Sequence, residues 1–332
     1  MSTSDSTISP ARAYRAFRER TKHMSGLGAL LPLAVIVILL SLTTESFLTY
    51  NNITQVLRQA SIYAIMATGM TFVIMTGGID LGQGAYLAFC CVVIGMVINT
   101  TGNMWLAMPL GVLAGAAVGF VNGVVVAYVR IPAFIVTLGA MYIVRGSTLF
   151  MTNSAQIAIK HNAFKIIGQG YTFGIPNPVY AFLLVGIAGQ ILLSKTATGR
   201  YILAIGSSEE TARLSGVHVE WNKIKVFMLS GASVGLAAIV YLSRLSAAQP
   251  VAGQGYEMES VAAAVIGGTS INGGEGSIVG SLIGAIVVAV IRNGLVILGV
   301  QSFFTQIVVG FIIVLAVGLD ITRTRLAARK LD

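Results

Sequence analysis

Apolar residues fall in long runs along this chain, separated by short polar or glycine-rich interruptions. The runs lie at 27–43, 60–76, 84–101, 105–128, 133–150, 179–194, 224–242, 258–271, 277–298 and 303–319. Each approaches the ~20 residues that a helix needs to cross a ~30 Å hydrocarbon core. The pattern predicts an all-α integral membrane protein with about ten transmembrane helices, some of them glycine-broken, over residues 27–320. A polar N-terminal segment over 1–26 and a tail over 321–332 flank this domain. The eighth run is short and broken by glycine, so eight or nine full spans plus a re-entrant piece fit the same pattern.

Composition agrees with the pattern. Hydrophobic residues make up 55% of the chain and charged residues 10%, against about a quarter charged in soluble domains. The net charge of +9 raises the question of nucleic acid, but the cations gather at the chain ends and in one loop between apolar runs. Ten spans starting from a cytoplasmic N-terminus put 15 of the 21 Lys and Arg on the cytoplasmic side: Arg12, Arg15, Arg18, Arg20, Lys22, Arg130, Lys195, Arg200, Arg213, Lys223, Lys225, Arg323, Arg325, Arg329 and Lys330. The remaining six, Arg58, Arg145, Lys160, Lys165, Arg244 and Arg292, fall on the other side or inside spans. That asymmetry has the sign of the positive-inside rule and places both termini and the 195–223 loop in the cytoplasm, with no nucleic acid required. The first run ends in SLTTESF rather than a small-x-small cleavage site, so it reads as a retained span.

Little in the chain suggests catalysis. Cys90 and Cys91 are adjacent in an apolar run, which excludes a disulfide framework. His23, His161 and His218 stand in separate segments with no second ligand at metal spacing, so neither a metal nor a cofactor is expected. No Gly-Lys dipeptide occurs, which rules out a P-loop in this chain. Asp80, in VIMTGGIDLGQGAYLAF, is the sharpest single residue. A charge at membrane depth costs ~3 kcal/mol or more and normally faces a partner or a watery path. Alternatively, Gly77 and Gly78 bring the chain to the interface and Asp80 caps the next helix. Two acids elsewhere, Glu257 and Glu259, have no cationic neighbour visible in the sequence.

The charged stretch IGSSEETARLSGVHVEWNKIKVF over 205–227, set between apolar runs, holds Glu209, Glu210, Arg213, Glu220, Lys223 and Lys225. On a single helix, Leu214, Val217 and Trp221 follow an i, i+3, i+7 rule and share an apolar stripe. Such a stripe needs a cover, either the lipid surface or a protein groove. Two glutamates ahead of one arginine favour the groove. The outward segment 152–178 is the longest external loop, either a connector or a receptor for an extracytoplasmic partner.

Taken in order, FVIMTGGIDLGQGA, IPAFIVTLGAMYIVRG, TATGRYILAIGSSEETARLSGV and VAAAVIGGTSINGGEGSIVGSLIGA resemble the ribose-type sugar permeases of bacterial ABC importers over about 45–320. EETARLSG is similar to that family's E-A-A-x-x-x-G loop, with Glu210, Ala212 and Gly216 in place and Thr211 at the middle alanine. Family members commonly read Gly-Gly-Ile-Asp-Leu-Ser-Val-Gly-Ser where this chain has Gly82, Gln83 and Ala85 for Ser, Val and Ser. Ser207 and Ser208 stand where Gly-Asn is usual.

The resemblance implies an ABC importer permease fold in the bacterial cytoplasmic membrane, without enzymatic activity of its own. Glu210, Ala212, Leu214, Gly216, Val217 and Trp221 would form the loop that couples to a cytoplasmic ATPase, and Asp80 and Gln83 would belong to the translocation pathway or its gate. The implied partners are that ATPase, a periplasmic sugar-binding protein, a second permease copy as homodimer, and membrane lipid. Ribose or a related pentose or hexose is the implied cargo, with a polyol or a furanose signal molecule as alternatives. An ion-coupled secondary transporter is the competing class, and it would use acids such as Asp80, Glu257 or Glu259.

Overall fold

The computed structural model describes residues 29–301 and a few isolated positions between 304 and 318. In chain order the elements are α1 (Leu30–Thr43), α2 (Tyr50–Met75), α3 (Gln83–Thr101), α4 (Met104–Val124, prolonged by a π-turn over Val125–Val129), α5 (Ala133–Thr152), β1 (Ile157–Ala158), α6 (Asn162–Gln169), β2 (Tyr171–Thr172) and β3 (Ile175–Pro176). There follow α7 (Asn177–Lys195), α8 (Ala197–Ser207), α9 (Glu209–Leu214), α10 (Val219–Leu245), β4 (Ala247–Ala248), α11 (Tyr256–Ile266) and α12 (Ile278–Ile297).

Seven of the helices, α2, α3, α4 with its π-turn, α5, α7, α10 and α12, are long and apolar enough to cross a membrane. The expected count of about ten is not reached among the described residues. The first run yields only the 14-residue α1. The eighth run becomes the 11-residue half-helix α11, because Gly268 turns left-handed at φ 88° and closes it. The N-terminal segment and the tail lie outside the described residues, as does more than half of the tenth run.

Gly77 and Gly216 end their helices by the same device as Gly268. Each has positive φ, donates its N–H to the carbonyl three residues back, and lets the next N–H reach the carbonyl five back. This satisfies carbonyls that a helix end leaves orphaned, and a glycine adopts the required backbone without a Cβ clash.

Helices α4 and α10 form the tightest seam. Gly115, Gly119 and Gly123 recur every fourth residue, so they share one face of α4. A Cβ on Gly115 would strike the carbonyl of Gly231, and one on Gly119 that of Phe227. Small residues at this spacing let backbones approach where lipid supplies no hydrophobic drive between helices. The spans are unequally enclosed: 89% of the apolar window of α2 is buried against 11% for α5, so α2 is central and α5 an outrigger.

Two helices begin inside the bundle. After β4 pairs with β1 (Ala248 opposite Ile157), a segment of turns passes along α3 from Gly95 to Gly84, and α11 starts there. The first residue of α3, Gln83, donates to the carbonyl of Met66, which lies nine residues before the end of α2 and so ~14 Å along its axis. The N-termini of α3 and α11 therefore meet at depth.

Candidate functional site

Asp80 sits in the six-residue break between Thr76 and α3 and is fully buried. Its Oδ1 accepts the N–H of Gly82 at 3.1 Å and its Oδ2 the hydroxyl of Ser230 on α10 at 2.8 Å. The residue capping α3 is Gly82, not Asp80, so the carboxylate braces the turn and ties it to α10. Gln83 donates to Ser230 Oγ at 3.0 Å, while its Oε1 is buried without a hydrogen-bond partner among the described residues. The two pathway candidates thus meet through one serine, 150 residues from Asp80 in sequence.

The outrigger α5 holds both breaks. The Thr137 hydroxyl accepts the N–H of Leu81 at 3.1 Å and lies 3.2 Å from the carbonyl of Ile79. Two turns further along, Arg145 donates to the carbonyls of Pro250 and Ala252 at 2.9 and 2.8 Å, just ahead of α11. Glu257, in the first turn of α11, rests against Gly84 and accepts the N–H of Gly255 at 3.2 Å. Arg145 lies close enough for its charge to act on this carboxylate. An acid between two helix N-termini faces the positive ends of both dipoles.

The expectation that the acids of α11 lack a cation is corrected. Arg292 of α12 reaches Glu259 Oε1 at 3.1 Å and the Tyr63 hydroxyl at 2.7 Å, beside the ring of Tyr256. This partner is 33 residues away in sequence, beyond the reach of local spacing rules.

The charged stretch is three helices rather than one. Ser208 caps α9, accepting the N–H of Thr211 at 3.2 Å and donating to its hydroxyl at 2.9 Å, so two departures from the family pattern are direct partners. Ala212 is buried with Ile205, Val219 and the flank of Val217. Gly216, at φ 80°, then ends α9, and α10 starts at Val219. The proposed stripe is therefore broken: Val217 turns inward, whereas Leu214 is 83% and Trp221 49% exposed. Nothing among the described residues lies within 4 Å of a Cβ at Gly216, so its local requirement is the backbone conformation. Glu210 is exposed. Glu209 joins Arg213 at 3.3 Å and Lys223 at 2.6 Å, and Arg213 also pairs with Glu220. The bond to Glu220, and then the one to Glu209, hold the Arg213 guanidinium above its ordinary pKa. A cavity of about 360 Å³ lies between the start of the break and the loop, walled by Thr76, Gly77, Gly78, Arg130, Glu209 and Lys223 among others but not by Asp80 or Gln83.

Residues 52–317 match the family model described as branched-chain amino acid transport system / permease component. The chain is 43% identical over 296 residues to the ribose import permease protein RbsC of Escherichia coli K12, covering 88% of this chain and 92% of that protein. RbsC of Bacillus subtilis strain 168 is 42% identical over 300 residues, with 90% and 93% covered. The D-allose transport system permease protein AlsC of Escherichia coli K12 is 39% identical over 295 residues, with 88% and 90% covered. No solved structure matches the chain.

Proposed function

Since this chain belongs to the branched-chain amino acid transport system / permease component family, we propose that it is the permease subunit of an ABC importer for a monosaccharide, ribose or a closely related sugar. It is a multi-pass protein of the inner membrane and not itself an enzyme. ATP hydrolysis belongs to a separate subunit. The observation that carries the reading is the 43% identity to a ribose import permease over nearly the full length of both chains. A 39% identity to a D-allose permease keeps ribose first and a hexose second.

In this reading residues 195–223 and both termini face the cytoplasm. The positive-inside balance supports that orientation. So does the way Arg58, Arg145, Arg244 and Arg292, four of the six cations assigned elsewhere, are hydrogen-bonded inside the bundle. The ATPase would seat on Glu210, Ala212, Leu214, Gly216, Val217 and Trp221. The exposed Leu214 and Trp221 would be its apolar contacts, and the buried Ala212 would keep α9 in place. Asp80 and Gln83 would gate the path, with Glu209 and Lys223 of the loop facing Gly77 and Gly78 at the start of their break across the 360 Å³ cavity. A homodimer would frame the pore, and an extracytoplasmic sugar-binding protein would deliver cargo. Transport would be alternating access, with each partner favouring one state.

The test is reconstitution with radiolabelled ribose. Vesicles containing this chain, its ATPase and its binding protein are expected to accumulate ribose only with ATP. Uptake by the chain alone under a proton or sodium gradient would contradict the reading.

A further inference from the structure

Between α6 and α7 the chain makes a small hairpin, Tyr171 opposite Pro176 and Thr172 opposite Ile175. Its two turn residues both have positive φ, 51° at Phe173 and 76° at Gly174. Such a turn favours Asn, Asp or Gly at both places, and an aromatic side chain in this region is strained. Yet Phe173 is 96% exposed. Nothing among the described residues covers the ring or offsets the strain.

The rest of the hairpin is held rigidly. The Tyr50 hydroxyl donates to the Gly174 carbonyl at 2.9 Å, and the Tyr180 hydroxyl to the Thr172 carbonyl at 2.9 Å. Arg58 lies 4.7 Å from the centre of the Tyr171 ring and bonds the carbonyls of Gly168 and Gln169. The tip is thus presented in one geometry, which lowers the ordering cost of binding. Tyr50 and Arg58 belong to the first turns of α2 and Tyr180 to the first turn of α7, so the tip stands at the end of the bundle where these two spans begin. Around it, residues 152–178 carry Lys160, Lys165 and His161 but no Asp or Glu.

We propose that this hairpin is the docking anchor for the extracytoplasmic sugar-binding protein, with the Phe173 ring entering an apolar pocket rimmed by carboxylates on that partner. The proposal rests on the importer reading and assigns it a contact. A buried aromatic inside a ring of complementary charge is a common composition for an interfacial hot spot.

The variant to make is Phe173→Asn, which suits the turn and removes the ring. In the reconstituted permease–ATPase complex, the affinity for the ribose-loaded binding protein encoded beside this chain should fall roughly tenfold. ATP hydrolysis without binding protein should stay at the parental level, and thermal stability should not fall. Removing Lys160 and Lys165 together should weaken docking about threefold at low salt and less at high salt. Parental affinity in Phe173→Asn would overturn the anchor while leaving the importer intact. If the parent complex itself neither binds nor responds to binding protein, the importer reading falls and the anchor with it. Quenching of a fluorophore at position 173 by lipid-borne quenchers, with docking unchanged, would assign the tip to the bilayer and also overturn it.

Discussion

Asp80 and Glu209 are both carboxylates just beyond a helix end, and both bridge to another segment of the chain. Asp80 is enclosed, and the donors it meets among the described residues are neutral, the Ser230 hydroxyl and the Gly82 amide with the Tyr86 hydroxyl beside them. Glu209 is 46% exposed and meets two cations, Arg213 and Lys223. Exposed ion pairs are worth ~0–1 kcal/mol each, because water and salt compete for both partners. A hydrogen bond to a buried charge is worth ~1.5–3 kcal/mol, and losing one strands its donor. The loop therefore carries its charges in reach of water, whereas the break depends most on its polar contacts. What the loop offers is surface, in the exposed Leu214 and the half-exposed Trp221, over whose ring Lys225 lies.

This contrast is open to attack by substitution. Asp80→Ala would leave the Ser230 hydroxyl and the Gly82 amide without their carboxylate, at ~1–3 kcal/mol each. Ribose uptake is expected to vanish and the melting temperature to fall. Asp80→Asn keeps the shape, so it should abolish most uptake while the protein still folds and inserts. Both are read by vesicle uptake beside thermal melting in detergent.

Arg145→Ala should come next. It frees the Pro250 and Ala252 carbonyls that α5 holds, and uptake should fall about tenfold, the effect of ~1.4 kcal/mol. Arg145→Lys, with a point charge in place of a planar fork, should recover only part of it. Uptake rates of the three proteins at equal expression decide this.

Within the loop, Gly216→Ala forces a Cβ into φ 80° and should cost ~1 kcal/mol. ATPase co-purification should drop several-fold, with transport per recruited ATPase unchanged. The smallest effect belongs to Glu209→Ala. Recruitment and stability should shift by no more than ~1 kcal/mol, and the shift should shrink further in high salt.

Much of the frame was legible in the sequence because a span is a local property: length and apolarity suffice, and seven runs became seven full helices. Glycine marked the breaks at Gly77 and Gly268. The same signal was present at Gly216 and argues against a single helix through Leu214, Val217 and Trp221, since a glycine that closes one helix rotates whatever follows out of register. The four-residue spacing of Gly115, Gly119 and Gly123 could likewise have revealed the α4 face that packs on α10. Other features left no local trace. Asp80 and Ser230 are 150 residues apart, and Arg145 reaches carbonyls 105 and 107 residues away. Polar pairs of this kind are fixed by tertiary approach, and no periodicity encodes them.

The central claim is a division of labour: the buried break moves sugar, and the exposed loop recruits the ATPase. Measuring ATPase co-purification and ATP-driven ribose uptake on the same preparations of Asp80→Asn and Gly216→Leu tests it most directly. Asp80→Asn should retain its ATPase at the parental ratio yet import almost no ribose. Gly216→Leu should lose its ATPase while remaining folded in the membrane. The account is contradicted if Gly216→Leu keeps its ATPase and imports normally, or if Asp80→Asn imports ribose as the parent does.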